Sequence, residues 1–256
     1  MNHFNRSERI GLKIKSMKII TRIFVLALIL SLSCSYKDIG SVSKPKKKSK
    51  VIFFGDSITR RGTEGGGYIN QLDSICKSEN KSDEYQFIGS GVGGNTVGDL
   101  LKRVDSSVIQ DSPDVVVIFI GVNDIGHPPN LSVTERLDQF GDTYCKLISV
   151  IRSKLTNVSI IMCNIASMNE AANNWNDTAY NGVNIFNKKI KEIASLQHVP
   201  LCDIRQAFVS YYIKNESPGR LKSGILTIDG VHPDIIGNRL IANALWKFLK
   251  NSNTGT

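Results

Sequence analysis

From Val51 onward, short β-rich runs alternate with longer amphipathic ones, and this alternation constrains the fold more than any other feature of the chain. Strand candidates are Val51–Phe54, Tyr85–Ile88, Val115–Ile120, Ser159–Cys163 and Pro200–Asp203. Several, such as Val115–Ile120 (VVVIFI), are apolar throughout, so those strands need cover on both faces. Between and after them lie helix candidates Tyr68–Lys77, Val97–Gln110, Val133–Lys154, Thr178–Leu196 and Ile235–Lys250. A repeated β-α order predicts a parallel sheet with helices on both faces. No internal repeat or second domain boundary interrupts it, and 256 residues suit a single α/β domain. In such sheets ligands bind beyond the carboxyl ends of the strands.

The formal charge of +9 hints at nucleic acid or a membrane surface until it is located. Residues 1–33 carry +5, and residues 34–50 carry another +5. From Val51 the balance is 20 basic to 21 acidic residues. The folded part is therefore near neutral, and a basic nucleic-acid face is not supported.

The leader has a separate explanation. Ile23 to Leu32 reads IFVLALILSL, preceded by Lys18 and Arg22. Ten apolar residues are too few to cross a hydrocarbon core of ~30 Å as a helix, but they suit the apolar segment of a secretory signal. Met17 is a candidate true start, because Met17 to Leu32 alone has signal-peptide proportions. Ser31-Leu32-Ser33-Cys34 resembles the lipobox of bacterial lipoproteins, with Cys34 as the lipidated residue. It departs from that pattern at Ser31, where Leu is usual. The alternative is a simple cleaved signal with an incidental Cys. Residues 34–50 read as a basic, solvated tether, and the folded domain is expected over residues 51–256. The expected location is outside the cytoplasm, either lipid-anchored or secreted. Membrane contact would then come only through an anchor at Cys34.

Four strand-end segments carry the chemistry. Gly55-Asp56-Ser57-Ile58-Thr59 follows the first strand, and Gly89-Ser90-Gly91-Val92-Gly93-Gly94-Asn95-Thr96 follows the second. Gly121-Val122-Asn123-Asp124 follows the third, and Asp229-Gly230-Val231-His232-Pro233 precedes the last helix. Together they offer what acyl transfer needs. A serine hydroxyl becomes a nucleophile once a base takes its proton. His232 is the candidate base, and Asp229 can fix its tautomer and stabilise the imidazolium. The oxyanion of a tetrahedral intermediate needs preorganised donors. Candidates are the backbone N–H groups of Ser57 and Gly94 and the side-chain amide of Asn123.

These segments resemble the signature blocks of the SGNH (GDSL-type) hydrolase superfamily. The Gly-Asp-Ser block places the nucleophile at Ser57, and the Gly-x-Asn-Asp block an oxyanion donor at Asn123. The Asp-x-x-His block supplies Asp229 and His232, and the oxyanion glycine falls on Gly94. The resemblance runs in order from about Val51 to Lys250. It departs at Gly89, where the family usually carries Asn. It implies a flavodoxin-like three-layer α/β/α sandwich with a central parallel sheet of about five strands. It also implies ester hydrolysis without a metal or other cofactor. Gly55–Thr59 and Gly65-Gly66-Gly67-Tyr68 look most similar to acetylesterase-like members, whose substrates are small acyl groups, often on sugars. The expected partner is thus a small-molecule or carbohydrate ester. Asp56, Tyr68, His127 and Trp175 are candidate substrate-lining residues, although Asp56 and Asp124 also suit structural roles in their loops.

Other readings compete. Ser57 suits a helix cap, and Asn123 suits a turn. Gly89-x-Gly91-x-x-Gly94 fits a dinucleotide-binding loop. Against that, it follows the second strand, lacks a ribose-binding acid at the end of the next, and leaves Ser57, Asn123 and His232 unexplained. A glycan-binding protein without catalysis is another rival, disfavoured by the intact Ser57, Asp229 and His232, and a lysophospholipase- or thioesterase-type acylhydrolase of the same fold is a further alternative. Cys76, Cys145, Cys163 and Cys202 sit in apolar stretches without metal-ligand spacing, so buried free thiols are expected.

Overall fold

The computed structural model describes residues 47–168, 182–215 and 224–252, together with residues 13, 15, 17 and 18. Cys34, Trp175, most of the tether and most of the leader lie outside the described residues. The chain divides into two units, residues 1–46 and 47–256.

In the second unit the elements run β1 (Ser49–Gly55), α1 (Ser57–Gly62), α2 (Tyr68–Ser78), β2 (Tyr85–Gly91) and α3 (Val97–Val104). They continue with β3 (Val115–Phe119), α4 (Val133–Lys154), β4 (Ser159–Cys163), α5 (Gly182–Leu196), β5 (Leu201–Cys202), α6 (Ile204–Asn215) and α7 (Ile235–Ser252). The five strands form one parallel sheet in the order β2-β1-β3-β4-β5. That is the flavodoxin-like order, whose direction of winding reverses between β1 and β3. Helices α2, α6 and α7 pack together, as do α3, α4 and α5, giving the expected three layers.

The central strands are apolar because water reaches neither face. Val51, Ile52, Phe53 and Phe54 of β1 are fully buried, as are Val116, Val117 and Ile118 of β3. Helix α4 starts where Ser132 caps it. The Ser132 hydroxyl accepts from the Glu135 N–H, and the Glu135 carboxylate in turn accepts from the Ser132 N–H. This reciprocal box satisfies two donors that the first turn would otherwise leave open.

Several elements differ from expectation. β1 begins at Ser49, inside the segment read as tether, because the Ser49 N–H pairs with Glu84 O and the Lys50 N–H with the Asp114 carboxylate. α3 ends at Val104 and passes into a wider π-turn, Asp105–Ile109, in which the Gln110 N–H reaches Asp105 O. β5 is only two residues long, since Pro200 has no N–H to give a ladder. Helix α6 was not anticipated. Its sequence, IRQAFVSYYIKN, is rich in β-branched and aromatic residues, and its apolar residues are not confined to one stripe. Cys76, Cys145, Cys163 and Cys202 are free thiols, and Cys145 is only half-buried.

Candidate active site

The turn from β1 into α1 presents Ser57 at the first helical position, half-buried at the sheet edge. Asp56 caps the helix by accepting from the Ile58 N–H at 2.9 Å. The Ser57 N–H belongs to the first turn, which has no carbonyl of its own helix to bond. Two glycines allow the turn to pack so closely. A Cβ on Gly55 would collide with Phe119 O and the Thr59 hydroxyl. One on Gly91 would lie 2.6 Å from Thr59 C and 2.7 Å from Asp56 O, and closer still to Arg60 N.

His232 sits in a turn closed by antiparallel pairing of Thr227 with Pro233 and by the Ile228 N–H bonding His232 O. Gly230 occupies the left-handed region at φ 89°, which the tight reversal requires and a Cβ would oppose. Asp234 then caps α7 through the Gly237 N–H. This brings together residues 175 positions apart: His232 Nε2 lies 2.8 Å from Ser57 Oγ, and His232 Nδ1 lies 2.7 Å from Asp229 Oδ2. The other oxygen of Asp229 accepts from the backbone N–H groups of His232 and Val231. Burial alone would raise the Asp229 pKa. These two N–H groups and the His232 ring outweigh it and hold the carboxyl below its ordinary value. With Asp229 accepting from Nδ1–H, Nε2 is left free to accept from the serine hydroxyl.

Asn123 and Asp124 grip the neighbouring loop by two adjacent side chains. Asn123 Nδ2 donates to Asn95 O at 2.9 Å, and the Asp124 carboxylate accepts from the Val97 N–H at 3.1 Å. The Asn95 bond uses one of the two Asn123 amide hydrogens. Gly94, between these anchors and β2, has φ 79° and open space where a Cβ would stand. Asp124 is buried, and desolvation raises its pKa to about 7. Asp56 is buried as well, and the same cause raises it to about 6.

Two candidate lining residues are structural instead. Asp56 is 1% exposed and committed to its cap. Tyr68 is fully buried, its hydroxyl donating to Thr59 Oγ1 at 3.1 Å, and a Cβ on Gly62 would meet its ring. The Gly65–Tyr68 segment therefore braces α1 from inside through the Tyr68 ring. His127 is exposed and lines a cavity of about 340 Å³ with Gly94, Asp124, Arg136 and Phe140. Trp175 lies outside the described residues. The glycines of the dinucleotide-like pattern serve packing: a Cβ on Gly89 would strike Thr63, and Gly91 abuts α1 as above. Gly89 is thus small where the end of α1 crosses over it. Among the described residues, no group of three or more His, Cys, Asp or Glu side chains is placed to hold a metal ion.

Sequence reasoning missed two residues that brace these loops. Asn238 of α7 accepts from the Tyr68 N–H and donates to Pro233 O, tying the His232 turn to α2. Arg103 of α3 donates to Asn95 Oδ1 at 2.7 Å. Its signal was faint: one of two adjacent basic residues, Lys102 and Arg103, beside the buried stripe of Val97, Leu100 and Val104.

The profile of the GDSL-like Lipase/Acylhydrolase family matches residues 53–240. An acetylxylan esterase of Geobacillus stearothermophilus is 26% identical over 208 residues, 76% of this chain and 91% of the relative. The crystal structure of an acetyl xylan esterase, AlAXEase, superposes with a TM-score of 0.69 at 35% identity, covering 78% of this chain and 99% of its own. A catalytic mutant of Axe2, an acetylxylan esterase from Geobacillus stearothermophilus, superposes with a TM-score of 0.63 at 25% identity, over 80% and 95% of the two chains. The match spans β1 to α7 and so takes in every loop described above: the chain belongs to the GDSL-like lipase/acylhydrolase family.

Proposed function

We propose that this protein is a serine esterase that removes acetyl groups from O-acetylated carbohydrates. The observation that carries the reading is the unbroken hydrogen-bond chain from Ser57 Oγ through the His232 ring to Asp229. The relatives named for acetylxylan and acetyl-xylooligosaccharide ester hydrolysis support the substrate class.

In the proposed cycle His232 Nε2 takes the Ser57 proton as Oγ attacks the ester carbonyl carbon. The resulting oxyanion is held by the N–H groups of Ser57 and Gly94 and by the second hydrogen of Asn123 Nδ2. Collapse breaks the bond to the sugar oxygen, which leaves with the proton from His232. Ser57 now carries the acetyl group. Water, deprotonated by His232, attacks in the same geometry, and acetate departs as Ser57 regains its proton. Asp229 stays ionised throughout and stabilises each imidazolium.

We further propose that the protein is exported, with residues 1–33 as the signal and Cys34 as the lipidated residue; the apolar run Ile23–Leu32 and the Cys34 context support this.

The test is acetate release from acetylated xylan, run beside a series of p-nitrophenyl esters of increasing acyl length. Ser57→Ala is expected to abolish turnover, and activity is expected to be greatest on the acetyl ester. Turnover surviving in Ser57→Ala would overturn the mechanism, and preference for long acyl chains would overturn the substrate class.

A further inference from the structure

The three loops that carry the oxyanion donors come from three different strands, and one side chain touches or indirectly holds all three. Arg103 Nη2 donates to Gly55 O at 2.8 Å, in the turn that ends in Ser57. The same nitrogen donates to Ser90 O at 3.1 Å, and Nη1 to Ser90 Oγ at 3.1 Å, at the end of β2. Nε donates to Asn95 Oδ1, and the backbone carbonyl of that same Asn95 receives Asn123 Nδ2. The guanidinium also lies 4.5 Å from the centroid of the buried Phe54 ring. All four acceptors are neutral. The group is half-buried, and burial pulls its pKa below the ordinary arginine value, with Asp99 opposing. An ordinary salt bridge does not account for a cation in this place.

We infer that Arg103 is a positioning residue for ester hydrolysis, a guanidinium clamp that fixes the Ser57, Gly94 and Asn123 loops relative to one another. The inference rests on the esterase reading above. Its chemistry is specific to arginine. The planar fork offers donors in several fixed directions at once, whereas the lysine ammonium is a point donor on a flexible stem. Without the fork, Asn95 loses its side-chain anchor, and the carbonyl that orients Asn123 is free to drift. Oxyanion donors act mainly in the transition state, so the loss should fall on kcat rather than KM. A misplacement near 1 Å can cost about 10²-fold in rate.

The test compares Arg103→Lys and Asn95→Ala with wild type on p-nitrophenyl acetate, with thermal midpoints measured alongside. Arg103→Lys, which keeps the charge, is expected to lower kcat by about 10–10²-fold with KM within about twofold. The same substitution in an Asn123→Ala background should cost markedly less, because its effect passes largely through Asn123. Millimolar guanidinium should restore part of the rate to Arg103→Ala. Should the Arg103 variants not fold, Asn95→Ala reads the same link, with a several-fold fall in kcat expected. Wild-type kcat in Arg103→Lys, full additivity with Asn123→Ala, or unchanged kcat in Asn95→Ala would each overturn the clamp. Ser57→Ala keeps the two readings separable. If it is inactive while Arg103→Lys is unaffected, the esterase stands and the clamp falls; if it remains active, the esterase reading falls first.

Discussion

Replacing Gly91 by Ala tests how the nucleophile is held. A Cβ there needs about 3.4 Å of clearance from its neighbours. It would find Thr59 C at 2.6 Å and Asp56 O at 2.7 Å, with Arg60 N nearer still. All three are backbone atoms of the turn carrying Ser57, so no rotamer change relieves the clash. Strand β2 and the turn must part by more than the roughly 0.8 Å shortfall at Thr59 C, because Arg60 N is nearer. Overpacking of this kind costs about 1–3 kcal/mol. For a domain of this size each kcal/mol lowers Tm by about 2–4 °C, so a fall on the order of 5 °C is expected. The serine also moves relative to the His232 ring, and kcat should drop by about 10–10²-fold. Thermal melts and p-nitrophenyl acetate kinetics measure both. Gly65→Ala is the control, because nothing lies within 4 Å of a Cβ at that position. Unchanged Tm and kcat in Gly91→Ala, or equal losses in Gly65→Ala, would refute the packing argument.

Two further outcomes can be measured directly. Asn123→Ala should lower kcat by about 10²–10³-fold with little change in KM, and a loss confined to KM would remove the residue from the oxyanion role. Asp124 and Asp56, raised to about 7 and about 6, bind protons more tightly in the folded than in the unfolded chain. Their contribution to stability is therefore full only below about pH 4, the ordinary aspartate range, and is lost as pH rises from there through 7. For Asp124 alone the difference is on the order of 4 kcal/mol. Asp124→Asn keeps an oxygen for the Val97 N–H without the buried charge, so it should raise Tm at pH 8 and flatten the profile between pH 5 and 8. An unchanged profile would show that Asp124 is not the group responsible.

The sheet was legible because burial on both faces forces continuous apolar runs, as in Val51–Phe54 and Val115–Phe119. Helix α4 was read to the residue, since its buried residues recur with helical spacing, and the structure adds the Ser132–Glu135 box at its start. The Ser57, Asn123, Asp229 and His232 positions stood out because each sits in a short segment with its own chemical pattern. What stayed hidden was tertiary. Tyr68 looked like a site residue because it adjoins the Gly65–Gly67 run, yet its hydroxyl is spent on Thr59 inside the core. Arg103 and Asn238 act across 8 to 170 positions of sequence, and neither leaves a local periodic trace. Helix α6 was missed because its β-branched and aromatic residues speak for strand locally, and packing overrides them.

The proposed machinery is unevenly supported. Ser57, Gly94 and Asn123 descend from β1, β2 and β3, adjacent strands stitched by ladder hydrogen bonds. His232 and Asp229 ride on a turn outside that lattice, tied to it through side chains such as Asn238 and the α7 cap. Regions with fewer such ties open at lower free energy than the core. In rising urea, catalysis should therefore fail before the circular dichroism of the fold collapses. The imidazole would leave its serine while the strands remain paired, so the working limit of the enzyme is set by its weaker half.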